Sequence, residues 1–266
     1  MFQTLLAEFT AAWKIFVRIP LPAFLSGDGE RSEYPQIDGH PALLRLMLPL
    51  IGFVLGFFAA VPLWILHLLP NGRLTAGIFG MAVIPLVLEI AGSWEGLTSL
   101  ADFLNQRRQG ASVEDALSAP VNSIDEPRSG ISMILMMTIY FLRMVFCGVL
   151  GAFAPFWLMI ALTGAWLVRA QLASLNRSGS DSALLGVPRG LKKHHWYFAA
   201  GAMVVGGFLH PLGILLGFSV SWAVACLAGN ICQDSISGVN AAAVKVFGYA
   251  AEMVLLFLGI LFYASF

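Results

Sequence analysis

Residues 131–167 read ISMILMMTIYFLRMVFCGVLGAFAPFWLMIALTGAWL, and Arg143 is the only charged side chain among them. A helix that crosses a bilayer needs roughly 20 apolar residues, so this run is long enough for two spans in close succession. The natural break is the turn expected near Gly148 to Gly151, because glycines punctuate helical patterns. Outward from this run, further apolar stretches lie at 45–69, 74–99, 197–209, 211–229 and 246–265. The step His210-Pro211 interrupts 197–229, since proline removes a backbone donor and crowds the preceding turn. That region is either two spans or one kinked span plus a half-span, giving about six or seven transmembrane helices in all. The expected fold class is therefore all-α, a polytopic membrane helical bundle, with 1–266 as one integral membrane domain.

Composition points the same way. The chain is 58% hydrophobic and 11% charged, with mean hydropathy +0.81, whereas soluble domains carry about 25% charged residues. An ordinary soluble domain is excluded, and the lipid bilayer is the first expected partner. No nucleic-acid partner is expected, and a homo-oligomer is compatible with the sequence. Cys147, Cys226 and Cys232 are scattered in apolar context and form neither a zinc pair nor a disulfide framework. Met1 to Ala12 lack a basic leader region, so no cleavable signal peptide is expected. Within an N-terminal arm, 1–44, Phe2, Leu5, Leu6, Phe9, Trp13 and Phe16 recur at helical spacing. Such a helix either lies in the membrane interface or packs on the bundle (45–266).

Charge placement orients the bundle. Threading the spans alternately puts the arm and the loops near 100–130, 168–196 and 230–245 on one face. Of fifteen Lys and Arg residues, only Arg73 and Arg143 fall outside that face. Positive charge marks the cytoplasmic side, so the polar half should face the cytoplasm, as in a bacterial inner-membrane protein.

Three acids lie along the second stretch and its exit: Glu89, Glu95 and Asp102. Glu95 and Asp102, seven apart, return to the same helical face within about 20° and about 10.5 Å along the axis. Ser99 sits between them on that stripe. Carboxylate, hydroxyl and carboxylate at a membrane surface suit Mg²⁺, which takes few protein carboxylates and keeps water and substrate phosphate. A solvated helix end is the plainer reading. Asp125 and Glu126 precede the third span, where acids commonly cap a helix N-terminus. Asp234 opens the last polar segment. Arg143, in the middle of an apolar run, needs a partner or a function.

The order of these features resembles the cobalamin-5′-phosphate synthase (adenosylcobinamide-GDP ribazoletransferase) family. The family's R-I-P-L-P signature is matched by Arg18-Ile19-Pro20-Leu21-Pro22, and its proline- and glycine-containing span by Leu48-Pro49-Leu50-Ile51-Gly52-Phe53-Val54-Leu55-Gly56. Its central H-x-D-G-L-x-D-x-x-D motif is similar to Ser93-Trp94-Glu95-Gly96-Leu97-Thr98-Ser99-Leu100-Ala101-Asp102. There Glu95 replaces the first aspartate, Asp102 keeps the last, and Ser93 and Ser99 replace the histidine and middle aspartate. The family's next block resembles Glu126-Pro127-Arg128-Ser129-Gly130, and its intraspan basic residue is matched by Arg143. Near the C-terminus only Gly229 and Asp234 match the family's last motif.

This resemblance implies transfer of phosphoryl-linked cobinamide from adenosylcobinamide-GDP onto α-ribazole or its 5′-phosphate, with release of GMP and a requirement for Mg²⁺. It places Glu95, Asp102 and Asp234 as metal ligands and Glu126 beside them as a catalytic carboxylate. Arg128 and Arg143 would clamp phosphate, and Ser99 would contribute weakly. Phosphoryl transfer does need a divalent ion, charge-absorbing cations and a group that orients the attacking hydroxyl. Two other readings stay open: a differently specific or non-catalytic relative that binds corrinoid intermediates, and a small-solute transporter using Glu89, Arg143 and the break at Pro211.

Overall fold

The computed structural model describes residues 9, 10, 12, 13, 17, 41–92, 94–118, 129–174, 201, 211–236 and 241–264. Their elements are all helices: α1 (Pro41–Leu66), α2 (Gly72–Ala82), α3 (Ile84–Ala91), α4 (Glu95–Arg108), α5 (Val113–Ser118), α6 (Gly130–Phe153), α7 (Trp157–Ser174), α8 (Pro211–Ile236) and α9 (Ala241–Ala264). The fold is all-α. Among the described residues, five helical stretches are long and apolar enough to cross a membrane: Met47–Leu66, Gly72–Ala91, Gly130–Phe153, Pro211–Cys232 and Ala242–Tyr263. Each has 20 to 24 residues, and 20 residues of helix rise about 30 Å, the thickness of the hydrocarbon core. Phe58, Ile78, Ile134, Phe141, Leu215 and Leu227 are exposed on the outer faces. Apolar surface on that scale belongs against lipid, and the chain is an integral membrane protein.

Helix α7 is the axis of the packing. Its apolar part, Trp157–Leu172, is shorter than the five spans, and nearly every one of its residues is buried. A helix apolar all round has no outward face to spare. It accordingly packs along α1, α8 and α9, and Trp157 Nε1–H donates to the Leu255 carbonyl across the core at 2.8 Å.

The helix boundaries differ from the sequence reading in three places. Gly148 and Gly151 do not turn the chain, because α6 continues to Phe153 and the break falls at Ala154-Pro155-Phe156. Their use is close approach between backbones. A Cβ on Gly80 would sit 2.6 Å from the Cys147 carbonyl oxygen, and one on Gly151 would sit 2.9 Å from that of Ala76. Small residues let helices meet this closely inside a bilayer, and α2 packs along α6 accordingly.

The second stretch, 74–99, is not one helix. It passes from α2 to α3 at Val83, just before Pro85, where the missing donor breaks the ladder. It then ends at Ala91, and Glu95 opens a separate helix. Pro211 is the first residue of α8, where the expected stretch 211–229 also begins, a position where its missing N–H costs nothing. The stretch 197–209 lies outside the described residues except for residue 201, which is helical.

Finally, the first bundle helix already begins at Pro41, inside the expected arm. Of the arm itself, Phe9, Ala12, Trp13 and Val17 are buried in the main core with Met47, Leu48 and Ile51. These arm residues pack on the bundle.

Candidate functional site

The site begins with the turn that leaves α3. Trp94 N–H reaches back to the Glu89 carbonyl at 2.9 Å, and Glu95 N–H reaches the Gly92 carbonyl at 3.2 Å. Trp94 holds a left-handed backbone, φ 61°, which costs a bulky L-residue about 1–2 kcal/mol. Its ring is held against Tyr140 of α6, centroids 5.5 Å apart. From this turn α4 runs with Leu97, Leu100 and Ala101 buried in a second core with Met136, Ile139 and Tyr249. That core sets α4 against α6 and α9. Glu95 in the first turn and Arg107 and Arg108 in the last each complement the helix dipole.

The Glu95–Ser99–Asp102 stripe divides between two neighbours. Glu95 Oε2 pairs with Lys245 Nζ of α9 at 2.8 Å, with Glu95 42% and Lys245 33% exposed. At that exposure the pair contributes about 0–1 kcal/mol. Ser99 Oγ–H donates back to the Glu95 carbonyl at 2.6 Å, and Ser99 is buried. Asp102 Oδ1 accepts from Ser132 Oγ on α6.

Ser129 is the N-cap of α6 and accepts from Ser132 N–H at 3.2 Å. Asp125 and Glu126, the acids before this helix, lie outside the described residues. Ser129 Oγ also accepts from Asn105 Nδ2 at 3.1 Å. Asp102 therefore lies at the first turn of α6, where the dipole favours negative charge. The structure brings Glu95 and Lys245 together, and Asp102 and Ser132 together, but Ser99 is turned into its own helix. Glu126 and Arg128 lie outside the described residues, as does the side chain of Asp234, which belongs to the last turn of α8.

Arg143 is not at this end at all. It is 3% exposed and paired with both Glu89 Oε1 and Glu252 Oε1, each also 3% exposed. Tyr249 Oη–H donates to the same Glu89 oxygen at 2.5 Å, and the Arg143 guanidinium lies 5.1 Å from the Tyr249 ring centroid. The expected phosphate clamp is thus an internal charge already answered by two carboxylates, because three helices bury it at mid-bundle.

Glu252 and Tyr249 were not singled out from the sequence. Glu252 is the only charged residue in 246–265, and the rule that flagged Arg143 applies equally to an acid in an apolar run. Arg169 of α7 stands nearby, its guanidinium 4.6 Å from the Trp166 ring.

Among the described residues no three His, Cys, Asp or Glu side chains gather as a ligand set. The donors that are present fit magnesium only in its loosest mode, with one or two carboxylates and the remaining positions filled by water and phosphate. Both Glu95 and Asp102 are partly exposed and can serve in that way. Comparison with protein-family models, curated proteins and solved structures gave no match.

Proposed function

We propose that this chain is a membrane-embedded, Mg²⁺-dependent transferase of substituted phosphate groups. In this reading it joins adenosylcobinamide-GDP to α-ribazole or its 5′-phosphate and releases GMP at the cytoplasmic end of the bundle. The observation that carries the reading is a pair of partly exposed carboxylates along α4, Glu95 paired with Lys245 of α9 and Asp102 bonded to Ser132 of α6. Either can give Mg²⁺ one carboxylate, with water and substrate phosphate in the remaining positions, and Lys245 adds an ammonium beside Glu95. Magnesium, when bound, neutralises charge on the phosphate oxygens. Asp102 is one candidate ligand for it, partly exposed beside Ser132 of α6.

Lys245 has two roles in this reading. It balances Glu95 in the resting protein and is free to move to substrate phosphate, as a flexible point charge can. Arg128 would add the bidentate contact that arginine makes with phosphate. Asp234 or Glu126 would complete the ligand set and orient the attacking hydroxyl. The substrate's corrinoid is bulky and partly apolar, which suits a site opening at the membrane interface.

A second reading is favoured by the Lys245–Glu95 pair itself, because an ammonium stands where the metal would be neutralised. In that case the chain binds a corrinoid phosphate and does not turn it over. Purified protein in detergent, given adenosylcobinamide-GDP, α-ribazole and Mg²⁺, separates the two. We expect GMP release that is lost in Glu95→Gln and in Asp102→Asn while both variants stay folded. Tight binding with no GMP from the parent protein would establish the second reading instead, and neither binding nor GMP release would refute both.

A further inference from the structure

We propose that the buried network of Glu89, Arg143, Tyr249 and Glu252 is the positioning device for the polar-end site, acting through the turn that presents Glu95. The proposal rests on the reading of that end as a site, but its geometry can be tested without any turnover. The first observation concerns which helices are tied. Glu89 closes α3 and leads into α4; Arg143 is on α6; Tyr249 and Glu252 are on α9. Ser132 and Lys245 lie on the same α6 and α9, and Glu95 and Asp102 lie on α4, which the turn after Glu89 leads into. The clamp and the site thus share α6 and α9 and are joined through the turn between α3 and α4. Lys245 and Glu252, seven residues apart on α9, are separated by about 10.5 Å of axial rise.

The second observation is a direct mechanical path. The Glu89 side chain is fixed by Arg143 and Tyr249, while its own carbonyl accepts the Trp94 N–H that closes the turn. Tyr249, the other end of that bond, packs on Gly96. A Cβ on Gly96 would come within 2.8 Å of Tyr249 Cδ2. The residue before Glu95 is therefore bonded to the clamped residue, and the residue after it rests on the tyrosine that bonds to the clamp. Trp94 adds a further tie through its ring contact with Tyr140 of α6, one turn before Arg143. A left-handed tryptophan is an unfavourable conformation that persists only when its surroundings over-determine it, and these contacts do so. Glu89, Arg143 and Tyr249 are positioning residues in this scheme; none touches a reacting atom.

The test is site-directed crosslinking in isolated membranes with Cys147, Cys226 and Cys232 replaced. Glu95→Cys with Lys245→Cys reports the α4–α9 geometry through a short bis-thiol reagent. A second pair, Gly77→Cys with Ala152→Cys, reports α2–α6 packing away from the turn, where a Cβ at 77 lies 3.2 Å from that of Ala152. We expect Tyr249→Phe, which keeps the ring on Gly96 and loses only the hydroxyl, to slow the 95–245 reaction. The slowing should approach about tenfold, the change that a bond to a charged acceptor worth about 1.4 kcal/mol produces. The 77–152 reaction should not change. Glu89→Leu should behave like Tyr249→Phe, and Glu89→Gln should restore the rate, because an amide oxygen still accepts from both Tyr249 and Arg143. Equal 95–245 rates in parent, Tyr249→Phe and Glu89→Leu would overturn the proposal, as would parallel loss at both pairs. Loss of GMP release with unchanged crosslinking would also overturn it while leaving the transferase reading intact. No GMP release from the parent, with the crosslinking pattern as expected, would remove the transferase reading and keep the positioning role.

Discussion

Replacing Arg143 by methionine should be among the most destabilising single changes in this protein. The side chain is 3% exposed and answers two carboxylates that are each 3% exposed. Methionine keeps the unbranched stem and much of the packing volume, so the effect isolates the charge. Without the guanidinium, Glu89 and Glu252 remain enclosed with only Arg169 near them among the described cations, leaving one buried negative charge unanswered. Removing one partner of a buried ion pair costs about 3–5 kcal/mol, because the uncompensated charge cannot recover its hydration. For a domain above 150 residues, about 1 kcal/mol moves Tm by roughly 2–4 °C, so the expected loss is roughly 6–20 °C.

The assay is the temperature at which half the detergent-solubilised protein survives as a monodisperse peak in size-exclusion chromatography. A companion variant separates charge from packing. Arg143→Met combined with Glu89→Gln leaves one carboxylate, Glu252, facing the neighbouring buried Arg169, so the enclosed charges balance and most of the loss should be recovered. Buried ion pairs replaced as a unit are often neutral in cost, and residues in one network are strongly non-additive. An Arg143→Met protein melting within about 2 °C of the parent would refute the reasoning, and so would a double variant no better than the single.

Two further outcomes follow from the packing and from the stripe. Gly80→Val should lower the same midpoint markedly, because its Cβ would meet the Cys147 carbonyl at 2.6 Å and two helices packed on backbone cannot part locally; a midpoint unchanged from the parent would show that α2 and α6 are not in this contact. Ser99→Asp puts a third carboxylate between Glu95 and Asp102 at a buried position whose hydroxyl now bonds the Glu95 carbonyl. Like-charge crowding should lower the midpoint without metal, and Mg²⁺ should then raise it more than in the parent. A lower midpoint with no added response to Mg²⁺ would show that the three positions do not converge on an ion.

The sequence by itself determined the fold class and the environment. Apolar runs of span length can be satisfied only as helices in lipid, since every backbone polar group must be paired within its own segment, and that constraint is local enough to read residue by residue. It also marked Arg143 as a residue that needs a partner. Tertiary structure decided what the partners are. Glu89 and Glu252 stand 54 and 109 residues from Arg143, and no spacing rule links them.

The same holds for the stripe. Helical periodicity places Glu95, Ser99 and Asp102 on one face, yet Lys245 of α9 takes Glu95 and the N-terminus of α6 takes Asp102, because a side chain settles on whichever charge or dipole packing brings within reach. Gly148 and Gly151 read equally well as a turn or as a contact surface. Only the backbone of α2 lying against them resolves that choice, since glycine's lack of a side chain serves either purpose until a neighbour arrives.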